Sequence, residues 1–153
     1  VYVLLRALHD VVIVDTPPAF TPEVIAAVDA SSDVCMVGML DALSLKNTRL
    51  GFETLQLMGY AEIDIRFLLN RADSQVGITL EDVQAIVGRP PDVFVPSDRA
   101  ITRSVNEGTP IALKSPGSDA GKAFHGLAAL IGGSPQTATS NKRRRRLSFA
   151  RSS

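Results

Sequence analysis

Asp15 follows four consecutive apolar residues, Val11-Val12-Ile13-Val14, and precedes Thr16-Pro17-Pro18. A run that is apolar at every position suits a strand buried on both faces, as in a parallel sheet covered by helices. The aspartate then falls at the strand's end, where open α/β sheets bind their ligands. The two prolines end ladder pairing and force a loop. A carboxylate on such a tip can hold the water shell of Mg²⁺. The same residues also suit a plain turn, with Asp15 capping the next helix. On this stretch alone both readings stand.

Two further tips carry polar groups. Asn70-Arg71 follows a predicted strand over 65–69, and Pro96-Ser97-Asp98 follows one over 93–95. One polar tip is ordinary loop chemistry, whereas three in one parallel sheet suggest a shared binding edge. Ser97 and Asp98 also read as simple helix N-caps. His9 and His125 have no Cys or His partners at ligand spacing, so they read as surface residues rather than metal ligands. The one cysteine, Cys35, lies in an apolar run and reads as a small core hydrophobe. No Gly-x-Ser-x-Gly nucleophile elbow occurs.

These tips need elements to hold them, and the pattern supplies alternating ones. Strands are predicted at 11–14, 34–39, 65–69 and 93–95. Helices are predicted at 1–8, 22–30, 45–58, 79–87, 98–107 and 119–131. Thr21 with Pro22 and Glu23 starts the second helix, Gly59 stops the third, and Thr79, Glu81 and Asp82 open the fourth. Alternation of strand and helix implies right-handed crossovers and a mostly parallel sheet with flanking helices, an α/β fold. Two segments are expected: a globular part over 1–133 and a disordered basic tail over 134–153.

The chain has 153 residues, 45% of them apolar and 21% charged, enough for one domain with a real core. No apolar run is long enough to span a bilayer, and no secretory signal is visible. A cytoplasmic location is expected. The zero net charge hides a split. Residues 1–141 carry ten Lys and Arg against sixteen Asp and Glu (10 − 16 = −6), while residues 142–153 carry six basic residues and no acid. The tail Lys142-Arg143-Arg144-Arg145-Arg146-Leu147-Ser148 could meet anionic lipid, nucleic acid or a basophilic kinase, or simply stay solvated. The chain begins with Val inside a helical pattern, so an N-terminal part of a longer protein is expected to precede it.

Four segments carry a resemblance: "VVIVDTPPAF", "LDALSLKNTRLGFETLQLMGY", "FLLNRADSQVGIT" and "VPSDRAITRSVNEGTPI". In this order they resemble the ParA/MinD group of deviant-Walker P-loop ATPases, nearest the CpaE/TadZ branch linked to pilus assembly and polar localisation. The resemblance covers most of 10–113 and implies the C-terminal half of a P-loop NTPase-like domain that uses ATP and Mg²⁺. Asp15 would match the Walker B carboxylate, holding Mg²⁺ through water and helping to position the attacking water. Thr16 and Pro17 would belong to the loop that senses the γ-phosphate. Asn70 would match the asparagine that hydrogen-bonds adenine, with Arg71 flanking the base. Pro96 and Asp98 would lie on the loop covering it from the other side. Ser44 to Asn47 would face a second subunit, so a homodimer is implied, together with pilus, secretion or polar-localisation partners. MinD-like relatives imply peripheral association with the inner face of the membrane.

One departure from that pattern is large. The sequence contains no Gly-x-x-x-x-Gly-Lys-[Ser/Thr] loop and no signature lysine. ATP binding by this chain alone is therefore expected to be weak or absent. A non-catalytic localisation or scaffold protein and an unrelated α/β binding domain remain the competing readings.

Overall fold

The computed structural model describes residues 1–60, 65–73 and 77–132. Among the described residues the elements follow in the order α1 (Tyr2–Leu8), α2 (Pro22–Ala30), β1 (Val34–Met39), α3 (Ala42–Leu57), β2 (Ile65–Asn70), α4 (Leu80–Val87), β3 (Val93–Val95), α5 (Arg99–Asn106), α6 (Ile111–Lys114) and α7 (Asp119–Gly132). The three strands form one parallel sheet in the order β1-β2-β3. This is the expected α/β fold, a parallel sheet with flanking helices. The basic tail over 134–153 lies outside the described residues. Among the described residues no helix is long and apolar enough to cross a membrane.

Side-chain caps fix where the helices start. Thr21 accepts from the Val24 N–H with Pro22 at the first position. Asp41 accepts from Ser44 N–H at 2.8 Å. Thr79 and Asp82 form a reciprocal capping box, and its hydrogen bonds hold the Asp82 carboxyl below its ordinary value. Gly88 ends α4 with a φ of 90°, a left-handed conformation that costs glycine least.

Burial of apolar stripes holds the layers together. On one face of the sheet, Leu45, Phe52 and Leu55 of α3 and Val83 and Val87 of α4 cover Ile65, Phe67 and Leu69 of β2. The rings of Phe52 and Phe67 meet edge to face at 5.7 Å. Gly51 leaves room for Met36 and Phe20: a Cβ there would lie 2.9 Å from Met36 Cε. On the other face, Ile101 of α5 and Ala123, Phe124 and Leu127 of α7 cover Leu68, Val93 and Val95. At the start of α7, Gly121 sits so close to the preceding turn that a Cβ would fall 2.3 Å from the Ser115 carbonyl oxygen.

Two expectations fail here. Residues 11–14 form no strand, and residues 11–16 make no backbone hydrogen bond with described residues. Val11 and Ile13 are exposed, Ile13 at 89%. β-propensity makes a segment ready to pair, but a strand exists only once a neighbour supplies the ladder. Among the described residues the sheet stops at β1, and Asp15 does not sit on a strand tip. Cys35 is exposed rather than buried. Alternation puts Cys35, Val37 and Met39 on the sheet face covered by α7, but beyond that helix's reach. Partial burial, and secondly the Asp92 carboxylate, still push the Cys35 thiol above its ordinary value.

The short β3 is reinforced at its entry. Asp92 accepts from Phe67 N–H at 2.7 Å, and its own N–H donates to the Phe67 carbonyl at 2.8 Å. Arg89 pairs with that carboxylate at 3.1 Å, donates to the Ile65 carbonyl at 3.1 Å and lies 5.2 Å over the Phe52 ring. Truncation in Asp92→Ala leaves the Phe67 N–H without its acceptor and removes one of the acceptors of Arg89, and is expected to cost about 2–3 kcal/mol in urea unfolding, with a smaller loss for Asp92→Asn.

Candidate functional site

Parallel register decides which residues can share an edge. Met39, Asn70 and Val95 are aligned across the sheet, so all three strands release their chains on the same side. Ligand-binding loops of open α/β sheets lie on this side.

The loops after β2 and β3 are stitched together. Asn70 is half-buried, and its Oδ1 accepts from Arg71 N–H at 3.0 Å. Arg71 adopts a φ of 53°, unusual for a residue with a side chain. The chain then turns so that Ala72 N–H donates to the Val95 carbonyl at 3.0 Å. The Asp73 carboxylate accepts from Ser97 N–H. Pro96, half-buried, leads into Asp98, which caps α5 by accepting from Ala100 N–H at 2.7 Å.

The tip of β1 is also tied down. Met39 N–H donates to Ser44 Oγ at 2.8 Å, and Thr48 Oγ1 donates to the Ser44 carbonyl at 2.8 Å. Gly38 is needed where α3 crosses, since a Cβ would lie 2.8 Å from Thr48 Oγ1 and 3.1 Å from the Phe67 ring. Ser44 is thus engaged within its own subunit, while Lys46 and Asn47 are exposed.

Of the residues singled out from sequence, Asn70, Arg71, Pro96 and Asp98 lie on these two joined loops. Asp15, Thr16 and Pro17 lie on the unpaired segment before α2 and are exposed. The side chains of Asp15 and Thr16 make no hydrogen bond or ion pair with described residues, and Ala19 N–H closes a turn onto the Pro17 carbonyl at 2.8 Å. His9 and His125 are exposed, with His125 Nε2 3.2 Å from the Ala112 carbonyl. Sequence reasoning missed Asp73 and the linking role of Ser44. The Asp41-x-x-Ser44 spacing is a readable cap signal, but nothing near Asp73 marks it as a bridge to Ser97.

Asn70 keeps its amide donor free of described partners and can offer it to a base edge. A phosphate would need a cradle of backbone N–H groups, and the sequence holds no Gly-rich, Lys-ending loop to build one. Among the described residues no group of three His, Cys, Asp or Glu could hold a metal directly. Among the described residues this edge offers the Asn70 amide and no phosphate cradle.

No protein-family model matches the sequence, and no curated protein matches it. Solved structures do match. The MinD cell division ATPase of Pyrococcus furiosus superposes with a TM-score of 0.70 at 26% identity, over 85% of this chain and 54% of that one. MinD of Pyrococcus horikoshii, complexed with Mg-ADP, gives 0.69 at 26% identity, over 83% of this chain and 52% of that one. A ParA family ATPase of Chlorobium tepidum gives 0.63 at 20% identity, over 71% and 47%. The chain has the MinD/ParA fold and spans about half the length of these structures. The likeness supports a relationship to the MinD/ParA ATPases.

The bond between Asp73 and Ser97 is what joins the two loops beyond the sheet. Asp73→Ala is expected to speed hydrogen exchange at the Ser97 amide while lowering global stability by only about 0.5–1 kcal/mol. An unchanged Ser97 exchange rate would show that the loops hold together without it.

Proposed function

We propose that this chain is the base-binding and metal-water portion of a ParA/MinD-type ATPase, nearest the CpaE/TadZ branch. The observation that carries the reading is the joined pair of loops after β2 and β3, which presents the Asn70 amide beside Arg71, Pro96 and Asp98 on one sheet edge. The likeness to MinD structures, one of them complexed with Mg-ADP, supports it.

Asn70 would hydrogen-bond adenine, with Arg71 flanking the ring and the Pro96–Asp98 loop covering it. Asp15 would hold Mg²⁺ through its water shell, with Thr16 and Pro17 answering the γ-phosphate. In a complete domain, ATP would drive homodimerisation through a face that includes the start of α3. Hydrolysis would release it, coupling the cycle to subcellular localisation of a pilus or secretion apparatus. Cytoplasmic residence with peripheral attachment at the membrane's inner face fits this role. The basic tail is the candidate for attachment and lies outside the described residues.

The second reading is a non-catalytic localisation or scaffold protein that keeps the fold without turning over ATP. A Gly-rich, Lys-ending loop upstream of Val1, present or absent, separates it from the ATPase reading.

Titration with ATP separates base binding from phosphate binding. The chain alone is expected to bind in the millimolar range, about −4 kcal/mol, with NMR shifts confined to the amides of Asn70, Arg71, Ser97 and Asp98. Micromolar binding would contradict the assignment of a missing cradle, and shifts elsewhere would remove the base site. In a polypeptide that joins this chain to a phosphate-binding loop, Asp15→Ala is expected to abolish ATP hydrolysis while leaving the fold intact. Retained turnover would take Asp15 out of the chemistry.

A further inference from the structure

Ser148 is set apart from the other hydroxyl residues of this chain by what precedes it. Arg143 to Arg146 place arginine five, four, three and two residues before it, with Lys142 ahead of them and Phe149 just after. Each guanidinium offers a planar fork that both oxygens of a carboxylate can take together. A protein kinase whose peptide groove is lined with carboxylates therefore finds a full set of partners here. Residues 142–153 hold no acid that would oppose that groove.

The rest of the chain supplies the comparison. Arginine three residues before a serine or threonine recurs only at Ser74 and Thr102, and the next position is alanine in both, Ala72 and Ala100. Ser74, outside the described residues, directly follows Asp73, a charge of the wrong sign for an acidic groove. Thr102 is exposed but lies within α5. A groove that reads side chains at fixed spacing takes its peptide extended. Extending α5 would undo its cap, where Asp98 accepts from Ala100 N–H at 2.7 Å. Around Ser148 the composition sets no such obstacle, since residues 136–146 contain one apolar residue, Ala138, and so have nothing for a core to bury. Residues 133–147 separate Gly132, the end of α7, from Ser148 and can reach about 50 Å. That length exceeds the radius of gyration of a folded body of about 130 residues, roughly 14 Å.

We propose that Ser148 is a phosphorylation site for an arginine-directed serine kinase. Ser148 Oγ attacks the γ-phosphorus of the Mg-ATP that the kinase binds. An Oγ–P bond forms, the bond from the γ-phosphorus to the bridging oxygen breaks, ADP leaves, and the hydroxyl proton passes to the kinase's catalytic carboxylate. The phosphate adds about −1.5 to −2 of charge and takes residues 142–153 from +6 to about +4. The modification needs no nucleotide on this chain, so it stands or falls apart from the base-binding role of Asn70.

Incubation of the intact chain with Mg-ATP and the catalytic subunit of cyclic-AMP-dependent protein kinase tests it. One phosphate is expected, a gain of about 80 Da, placed on Ser148 by fragment mass spectrometry. Isoelectric focusing should move the product below the pI of about 6.9. Ser148→Ala should abolish incorporation and leave the circular dichroism unchanged. Replacing both Arg145 and Arg146 by Ala should slow it by about 30-fold or more. No incorporation, phosphate on Thr102 or Ser74 in place of Ser148, or a rate indifferent to the two arginine substitutions overturns the proposal.

Discussion

Asp92 sets the register on which everything at the opposite edge depends. β3 has three residues and cannot hold a parallel alignment by its own ladder. The Asp92 carboxylate and amide add two bonds to Phe67 just outside the strand, and Arg89 anchors that carboxylate to the Ile65 carbonyl and the Phe52 ring. A slip of β3 by one residue would turn Val93 and Val95 away from α7 and from Leu68. It would also separate Asn70 from Val95, and with them the loops that meet through Ala72 and Ser97. An interaction at the N-terminal end of the sheet thus fixes the geometry of its C-terminal end.

Much of this was legible in the sequence. Strands at 34–39, 65–69 and 93–95 announce themselves as short apolar runs bounded by turn residues. Thr21, Thr79 and Asp98 mark helix starts because their side chains can take the first free N–H groups. Caps are local chemistry, and local chemistry survives folding. The placement of Asn70, Arg71, Pro96 and Asp98 on neighbouring loops follows from the same run lengths once the sheet is parallel.

What was not legible depends on partners that a pattern cannot contain. Residues 11–14 look like a central strand, but centrality belongs to the sheet and not to the segment. Cys35 sits in an apolar run, yet covering that run requires a helix that lies over β2 and β3 instead. The short α6, Ile111–Lys114, is not among the predicted helices. Arg71 in a left-handed conformation has no sequence signature, since glycine or asparagine would be the expected occupant there. The bridge from Asp73 to Ser97 spans two loops whose proximity is a product of the register.

The tight approach at Gly121 has a consequence for how the second face of the sheet can vary. Where α7 leaves the turn after α6, main chain rests on main chain, with no side chain between them to shrink or swell. The helix's tilt over β2 and β3 is therefore a fixed quantity rather than one negotiated by packing. Changes at Ala123, Phe124 or Leu127 must be absorbed by their sheet partners at constant inclination, so substitutions on this face should come in volume-compensating pairs, unlike those between α3 and the opposite face.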